Sequence, residues 1–200
     1  MSLKPKLILE NFNSGKISKE FAIKTLIFLI IESKNDLVRF DSIEILGTIG
    51  SNHKSLFLLF EVILISDSNE KIRIAAFNIL KKCFPIKAIK PISHAIEWEN
   101  GDLLIFLIEF LEEIRFPKRR ELLIKKIKTL NKRYLNFIVM DANLGNLRYT
   151  ELKEIILNYL MYMSFESLYF HRHKIPLALD FYDFNFISNK KIFSKFENIE

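Results

Sequence analysis

The residues of this 200-residue chain that could perform metal chemistry are few and widely spaced. The four histidines are His53, His94, His171 and His173. His94 has no second His or Cys three or four residues away, which is the spacing that would put two ligands on one helical face. His171 and His173 are two residues apart, but Arg172 and Lys174 beside them oppose cation binding, so we interpret this segment as a solvated basic turn. The spacing predicts no metal site.

Nucleophiles and acid/base pairs are equally sparse. The single cysteine, Cys83, falls at an apolar position of a helix and is interpreted as a small core residue in a reducing compartment. Glu109, Glu112 and Glu113 follow one another on a helix surface with Arg115 nearby, which is ordinary solvated charge. The chain contains no Gly-rich phosphate loop, no Gly-x-Ser-x-Gly and no paired-Cys motif. We therefore expect a protein that is not an enzyme and binds no cofactor.

Positive charge is concentrated between residues 115 and 133, where nine Lys and Arg face the single Glu121. The residues that we select as a partner-binding surface are Arg119, Lys125, Lys126, Lys128, Lys132 and Arg133. Such a stripe suits nucleic-acid phosphates, an acidic peptide or an anionic membrane surface. The alternative is a solvated polar face, neutralised by the acidic residues that precede it. The basic helix carries no aromatic residues for base stacking, which disfavours single-strand binding.

Composition indicates a folded helical chain. Half of the residues are hydrophobic, Phe occurs 19 times, and only five Gly and five Pro are present, too few for a many-stranded sheet with its turns. The net charge is +6, which allows an anionic partner without requiring one. The longest apolar windows, 26–31 and 56–65, are shorter than the roughly 18 apolar residues that span a bilayer, and no signal peptide is evident. We expect a cytoplasmic protein with no membrane span.

One stretch of the chain, residues 38–49, recurs. Its pattern is Val38-Arg39, Ser42, Ile43, Leu46, Ile49, which returns 34 residues later as Ile72-Arg73, Ala76, Phe77, Leu80, Cys83. A third copy at an offset of 31 is Leu103, Leu104, Leu107, Ile108, Leu111, Ile114. Asn35, Asn69 and Asn100 precede the three copies and are predicted helix caps. Self-similarity at this period is typical of stacked helical repeats.

The apolar period of 3.6 and the Gly, Pro and Asn breaks predict the helices in order. They are 5–12, 18–32 capped by Ser18, 36–49, 56–65, 70–84, 86–98, 103–115, 119–130, a less regular 134–141, and 151–163. Gly15 is the predicted left-handed stop of the first helix, and 143–146 is a predicted loop.

The Val-Arg-x-x-small-x-x-x-Leu-x-x-Ile pattern resembles the HEAT-like repeat family of armadillo-type superhelices. The first copy, with Leu46-Gly47-Thr48-Ile49-Gly50, is similar to the short, phycobilisome-lyase-like branch of that family. The resemblance implies an all-α, right-handed α-solenoid of antiparallel helix pairs over residues 1–163. It further implies that Ser42 and Ala76 allow close helix packing. Arg39 and Arg73 would stack and bridge to carboxylates or loop carbonyls between layers.

Function is less specified than architecture, because a fold does not imply a function. The resemblance implies a non-catalytic scaffold or adaptor that binds a protein or peptide along the concave face, which the second helix of each pair lines. One alternative is a nucleic-acid-binding solenoid that uses the basic helix 118–133, and another is a lyase-like enzyme subunit. The repeated His-Glu ligand pairs of the iron-dependent hydroxylase with this fold have no counterpart here, since no histidine is followed by Glu.

Residues 164–200 are rich in Phe and Tyr with little helical periodicity, and 177–181 alternate like a short strand. We interpret 164–200 as an aromatic segment that caps the last helical layer, with an interface or tail as the alternative. The oligomeric state is left open.

Overall fold

A computed structural model of the chain describes residues 4–50, 54–131, 135 and 143–173, with side chains described from 56 onward in the second range and to 164 in the last. In these residues every regular element is helical. The helices are α1 (Pro5–Asn13), α2 (Lys19–Glu32), α3 (Asp36–Ile49), α4 (Lys54–Ser66), α5 (Glu70–Cys83), α6 (Pro85–Trp98), α7 (Asp102–Glu113), α8 (Arg119–Thr129) and α9 (Tyr149–His173), with a 3₁₀ turn at Leu144–Asn146. The predicted all-α class is confirmed for these residues, as are the predicted helices that fall within them.

Local sequence signals explain where several helices begin and end. The Ser18 hydroxyl accepts a hydrogen bond from the Phe21 amide at 3.2 Å and caps α2. Asn35 Oδ1 accepts from the Leu37 amide at 2.9 Å, and Asn69 Oδ1 accepts from the Lys71 amide at 2.9 Å. Gly15, at φ +72°, follows the end of α1 in the left-handed conformation that glycine adopts without strain. These four predictions are confirmed.

The third predicted cap is wrong. Gly101, rather than Asn100, is the N-cap residue of α7, and it has no side chain to offer. The Leu103 amide donates instead to Glu70 Oε1 at 3.1 Å, so the first residue of α5 supplies the missing acceptor. The Asn100 side-chain amide donates to the Trp98 carbonyl at 3.1 Å. A cap from a residue 33 positions away has no local sequence signature.

The chain forms two compact units, Met1–Ile114 and Arg115–Glu200. In the first unit α3 contacts α1 and α5, and α5 in turn contacts α7. Three even-numbered helices pack on this series: α2 on α3, α4 on α5, and α6 on α5 and α7. The first unit therefore places its odd-numbered helices side by side in chain order.

The predicted apolar ladder forms part of the core of the first unit, although Val38 and Ile114 are only half-buried. Its buried members are Ile43, Leu46, Ile49, Ile72, Phe77, Leu80, Leu103, Leu104, Leu107, Ile108 and Leu111. Cys83 is a correction, because it is only half-buried at the last turn of α5. Ser42 and Ala76 are fully buried, as the close packing expected of them requires.

Close approaches join neighbouring odd-numbered helices. A Cβ placed on Gly47 of α3 would lie 2.7 Å from the Ile79 side chain of α5, so a larger residue at 47 would displace that side chain. Between α5 and α7, the Phe77 and Phe110 rings meet edge to face with centroids 6.0 Å apart. Both contacts lie inside the Met1–Ile114 unit, one between α3 and α5 and the other between α5 and α7.

The second unit packs α8 against α9. Its described core consists of Leu123, Ile127, Leu130, Leu147, Leu152, Ile156, Tyr159 and Leu160. Arg120 Nε donates to the Leu147 carbonyl at 2.8 Å, and its Nη2 donates to the Gly145 carbonyl, which holds the 3₁₀ turn against α8.

Helix α9 runs past the predicted end at Met163 and continues to His173. Residues 171–173 are therefore the end of a helix, and the basic turn predicted there is wrong. The predicted helix 134–141 and the strand 177–181 lie outside the described residues, as does most of the 164–200 segment. The division of domains at 163 and 164 stays a prediction.

None of the helices in the described part of the chain combines the length and the apolar content that a bilayer-crossing helix needs.

Candidate interaction surfaces

The two arginines of the repeat are engaged within the fold. Arg73 Nε donates to Glu99 Oε1 at 2.8 Å, and Arg73 Nη2 donates to Glu99 Oε2 at 2.9 Å, which is a bidentate pair. Arg73 Nη1 also donates to the Asp67 carbonyl at 2.8 Å. Arg39 donates to the carboxylate of the same Asp67. Both arginines thus converge on Asp67 and bridge to carboxylates and loop carbonyls, in agreement with their predicted structural role.

A second set of contacts links the first residues of the odd-numbered helices. The Asn69 side-chain amide donates to Asp36 Oδ2 at 2.7 Å, and Arg39 Nη2 donates to Asp36 Oδ1 at 2.5 Å. Hydrogen bonds from Arg39 and then from Asn69 lower the pKa of Asp36 from its ordinary value. The hydrogen bond to Asp36 is the main cause that raises the pKa of Arg39. Arg39 is therefore a structural cation rather than a ligand-binding one.

The residues of the predicted basic surface do not all face solvent on α8. Lys125 and Lys128 are exposed, whereas Lys126, between them, is only 1% exposed and faces the interior with Leu123 and Ile127. Arg119 is half-buried, with its guanidinium carbon 5.1 Å from the centroid of the Tyr149 ring. Lys132 and Arg133 lie outside the described residues. The structure thus presents two of the six predicted residues, Lys125 and Lys128, to solvent along one side of α8.

The described histidine and two of the glutamates that we considered for metal or acid/base chemistry are exposed surface residues. His94 is exposed on α6, and Glu109 and Glu113 are exposed on α7. Among the residues that the structure describes, no three His, Cys, Asp or Glu side chains lie together where they could hold a metal ion.

Sequence reasoning missed an exposed apolar surface on α4. Leu56, Phe60, Ile63 and Leu64 are its buried core face. On the opposite side, Leu58, Val62 and Ile65 are 64%, 60% and 41% exposed at positions i, i+4 and i+7. We refer to these three residues as the α4 stripe. Because α4 is apolar on both sides, it lacks the polar outer face of an ordinary surface helix.

The other two even-numbered helices of the Met1–Ile114 unit also expose apolar side chains. Phe21, Phe28 and Ile31 are exposed on α2, opposite its buried Ala22 and Leu26. On α6, Ile86 and Trp98 are exposed at its two ends. Large apolar residues are exposed on odd-numbered helices too, with Leu37 on α3 and Phe106 on α7. Since single exposed apolar residues are ordinary, we select the α4 stripe, whose three residues share one side of a helix over two turns, as the candidate interaction surface.

Comparisons of the chain with protein-family models, with curated proteins and with solved structures find no match. The role of the α4 stripe is therefore inferred from its own residues.

Proposed function

We propose that this protein is a non-catalytic scaffold or adaptor of the HEAT-like type, and that it binds a protein partner with the solvent-facing side of α2, α4 and α6. In this proposal the helix pairs stack as a right-handed α-solenoid whose concave face carries the α4 stripe. The 34-residue recurrence of the pattern supports it, as does the use of Arg39 and Arg73 inside the junctions rather than at a ligand site.

The α4 stripe is the observation that carries the proposal. Full burial of one Leu, Val or Ile side chain is worth about 1.5–3 kcal/mol. Since Leu58, Val62 and Ile65 are 64%, 60% and 41% exposed, a partner that covers them would gain about 2.5–5 kcal/mol from these residues. That gain is typical of the few central residues that dominate an interface.

The experiment is an affinity capture with two matched variants. Leu58→Glu with Val62→Glu places charge on the stripe, and Asn78→Glu places the same residue on the exposed side of α5. A protein that is retained by the unchanged chain and by Asn78→Glu after nuclease and high salt, but lost with the stripe variant, supports the proposal. Equal capture by all three forms would overturn it.

The second proposal is a nucleic-acid-binding surface on α8. Lys118, Lys125 and Lys128 are exposed, with Glu121 the single exposed acid of the helix. Lys125→Glu with Lys128→Glu would weaken binding to a duplex of mixed sequence and lower the slope of log affinity against log salt by about 2. An unchanged slope would exclude these two lysines as phosphate contacts.

A further inference from the structure

Three exposed lysines flank the junction of α5 and α6, which contacts Phe57 near the beginning of α4. They are Lys82 at the end of α5 and Lys87 and Lys90 in the first two turns of α6. Lys87 Nζ is 5.9 Å from the centroid of the Phe57 ring, and the Phe57 and Phe84 rings are 5.7 Å apart. The N-terminal ends of α4 and α6 are therefore neighbours. We call Lys82, Lys87 and Lys90 the lysine corner.

The lysine corner is not neutralised within the described part of the chain. Its three ammonium groups make no ion pair with a described carboxylate, whereas the adjacent Lys81 lies 2.5 Å from Glu113. Positive charge beside an apolar surface attracts a partner of opposite charge and sets its orientation. The nearest contact of this charge with α4 is that of Lys87 with Phe57, the residue before Leu58.

We propose that the segment bound on the α4 stripe is an amphipathic helix of a protein partner, with carboxylates at the end that covers the lysine corner. The proposal rests on the proposed scaffold function and specifies its ligand. The stripe spans two helical turns, about 10 Å, which matches the i, i+4, i+7 anchors of a helix laid along a groove. The lysine corner fixes which end of that helix is acidic.

An anionic membrane surface fits the same residues less well. A plane of lipid headgroups attracts cations spread around an apolar surface. Here Lys87 contacts the beginning of α4, and Glu61 is half-exposed beside the middle of the stripe. A helix accommodates that carboxylate with a polar side chain, whereas a uniformly anionic plane repels it.

The single tryptophan provides the measurement. Trp98 lies on the neighbouring helix α6 and is 71% exposed. A helix that covers the stripe and reaches α6 would shift its emission to shorter wavelength. The probes are two synthetic helical peptides of about 18 residues, which is five turns, with the same apolar anchors. One carries Glu and the other Lys at one end.

The full chain is titrated with each peptide at about 0.05 M salt, where surface charge is weakly screened. We expect the Glu peptide to bind at least about tenfold more tightly than the Lys peptide. Lys87→Glu with Lys90→Glu should weaken the Glu peptide about tenfold, whereas Lys71→Glu on α5 should leave it unchanged. Equal affinity of the two peptides, or no binding of either, overturns the proposal.

The remaining outcomes separate this proposal from the proposed function. If the partner captured by affinity is lost with Leu58→Glu and Val62→Glu but kept with Lys87→Glu and Lys90→Glu, the scaffold function stands and the acidic helix is wrong. If vesicles with about one third phosphatidylserine shift Trp98 emission and the Glu peptide does not, the surface binds lipid and the proposal is overturned.

Discussion

Glu99→Ala removes the carboxylate that Arg73 holds in a bidentate pair, with both N–O distances between 2.8 and 2.9 Å. The two side chains are 16% and 11% exposed, so solvent can replace little of the lost interaction. Arg73 would keep the Asp67 and Ser68 carbonyls as acceptors, but they carry no formal charge.

The magnitude follows from this burial. Breaking a fully buried ion pair costs about 3–5 kcal/mol, and breaking an exposed pair costs about 0–1 kcal/mol. Because the Arg73–Glu99 pair is mostly buried and one carbonyl pair remains, we expect Glu99→Ala to lower the free energy of unfolding by about 2–3 kcal/mol. Loss of the charge, rather than of side-chain volume, causes the effect.

The assay is a double-mutant cycle in urea, with Arg73→Ala, Glu99→Ala and the double variant. We expect a coupling energy of about 1.5–2.5 kcal/mol. Each single variant leaves one mostly buried charge without its partner, whereas the double variant removes both charges. The control is the exposed pair Glu20 and Lys24, whose side chains are 76% and 74% exposed and whose coupling should stay below about 0.5 kcal/mol. A coupling for Arg73 and Glu99 as small as the control value would refute a structural role for the pair.

Three further changes test the junctions between the helices. Gly101→Ala would place a Cβ 2.1 Å from Glu70 Oε1 and displace the carboxylate that caps α7. We expect urea unfolding to show that the free energy of unfolding falls by about 1–2 kcal/mol, and an unchanged free energy would contradict that cap. Asn69→Ala removes the cap of α5 and should cost about 1 kcal/mol in the same assay, more than Asn78→Ala at an exposed mid-helix position. The lowered pKa of Asp36 means that its stabilisation is fully present above the ordinary Asp pKa of about 3.9 and is lost as pH falls through the lower folded value. Asp36→Asn should therefore destabilise the protein at neutral pH and converge with the unchanged chain in strong acid, and a constant difference in unfolding free energy across pH would contradict the shift.

The helices could be predicted where local signals decide them. Asn35 and Asn69 cap helices through their own side chains, and Gly15 adopts the left-handed conformation that ended the first predicted helix. Asn100 has the same residue type and position, yet Glu70 of the preceding repeat supplies the cap. A contact between residues far apart in the chain competes with the local signal and cannot be inferred from spacing alone.

The surface was predicted less well than the core, for two separate reasons. On α8, helical phase alone places Lys126 with Leu123 and Ile127, so its burial could have been inferred from the sequence. The apolar run 56–65 on α4 shows no helical period in hydrophobicity, because leucine occupies both the exposed position 58 and the core position 64. Only the packing of α4 on α5 decides which Leu is covered.

The hydrogen bonds between the beginnings of α3 and α5 also allow residues 35–68 to be treated as a unit that could be duplicated. Residues 35–68 contain Asp36, which accepts a hydrogen bond from Asn69, the first residue of the next period. They also contain Arg39, which donates a hydrogen bond to Asp67 near the end of the same period. A tandem duplication of 35–68 would repeat these two contacts, since each new copy begins with an Asn and has an Asp at its second-to-last position. The protein could therefore be lengthened by whole 34-residue periods with these contacts kept.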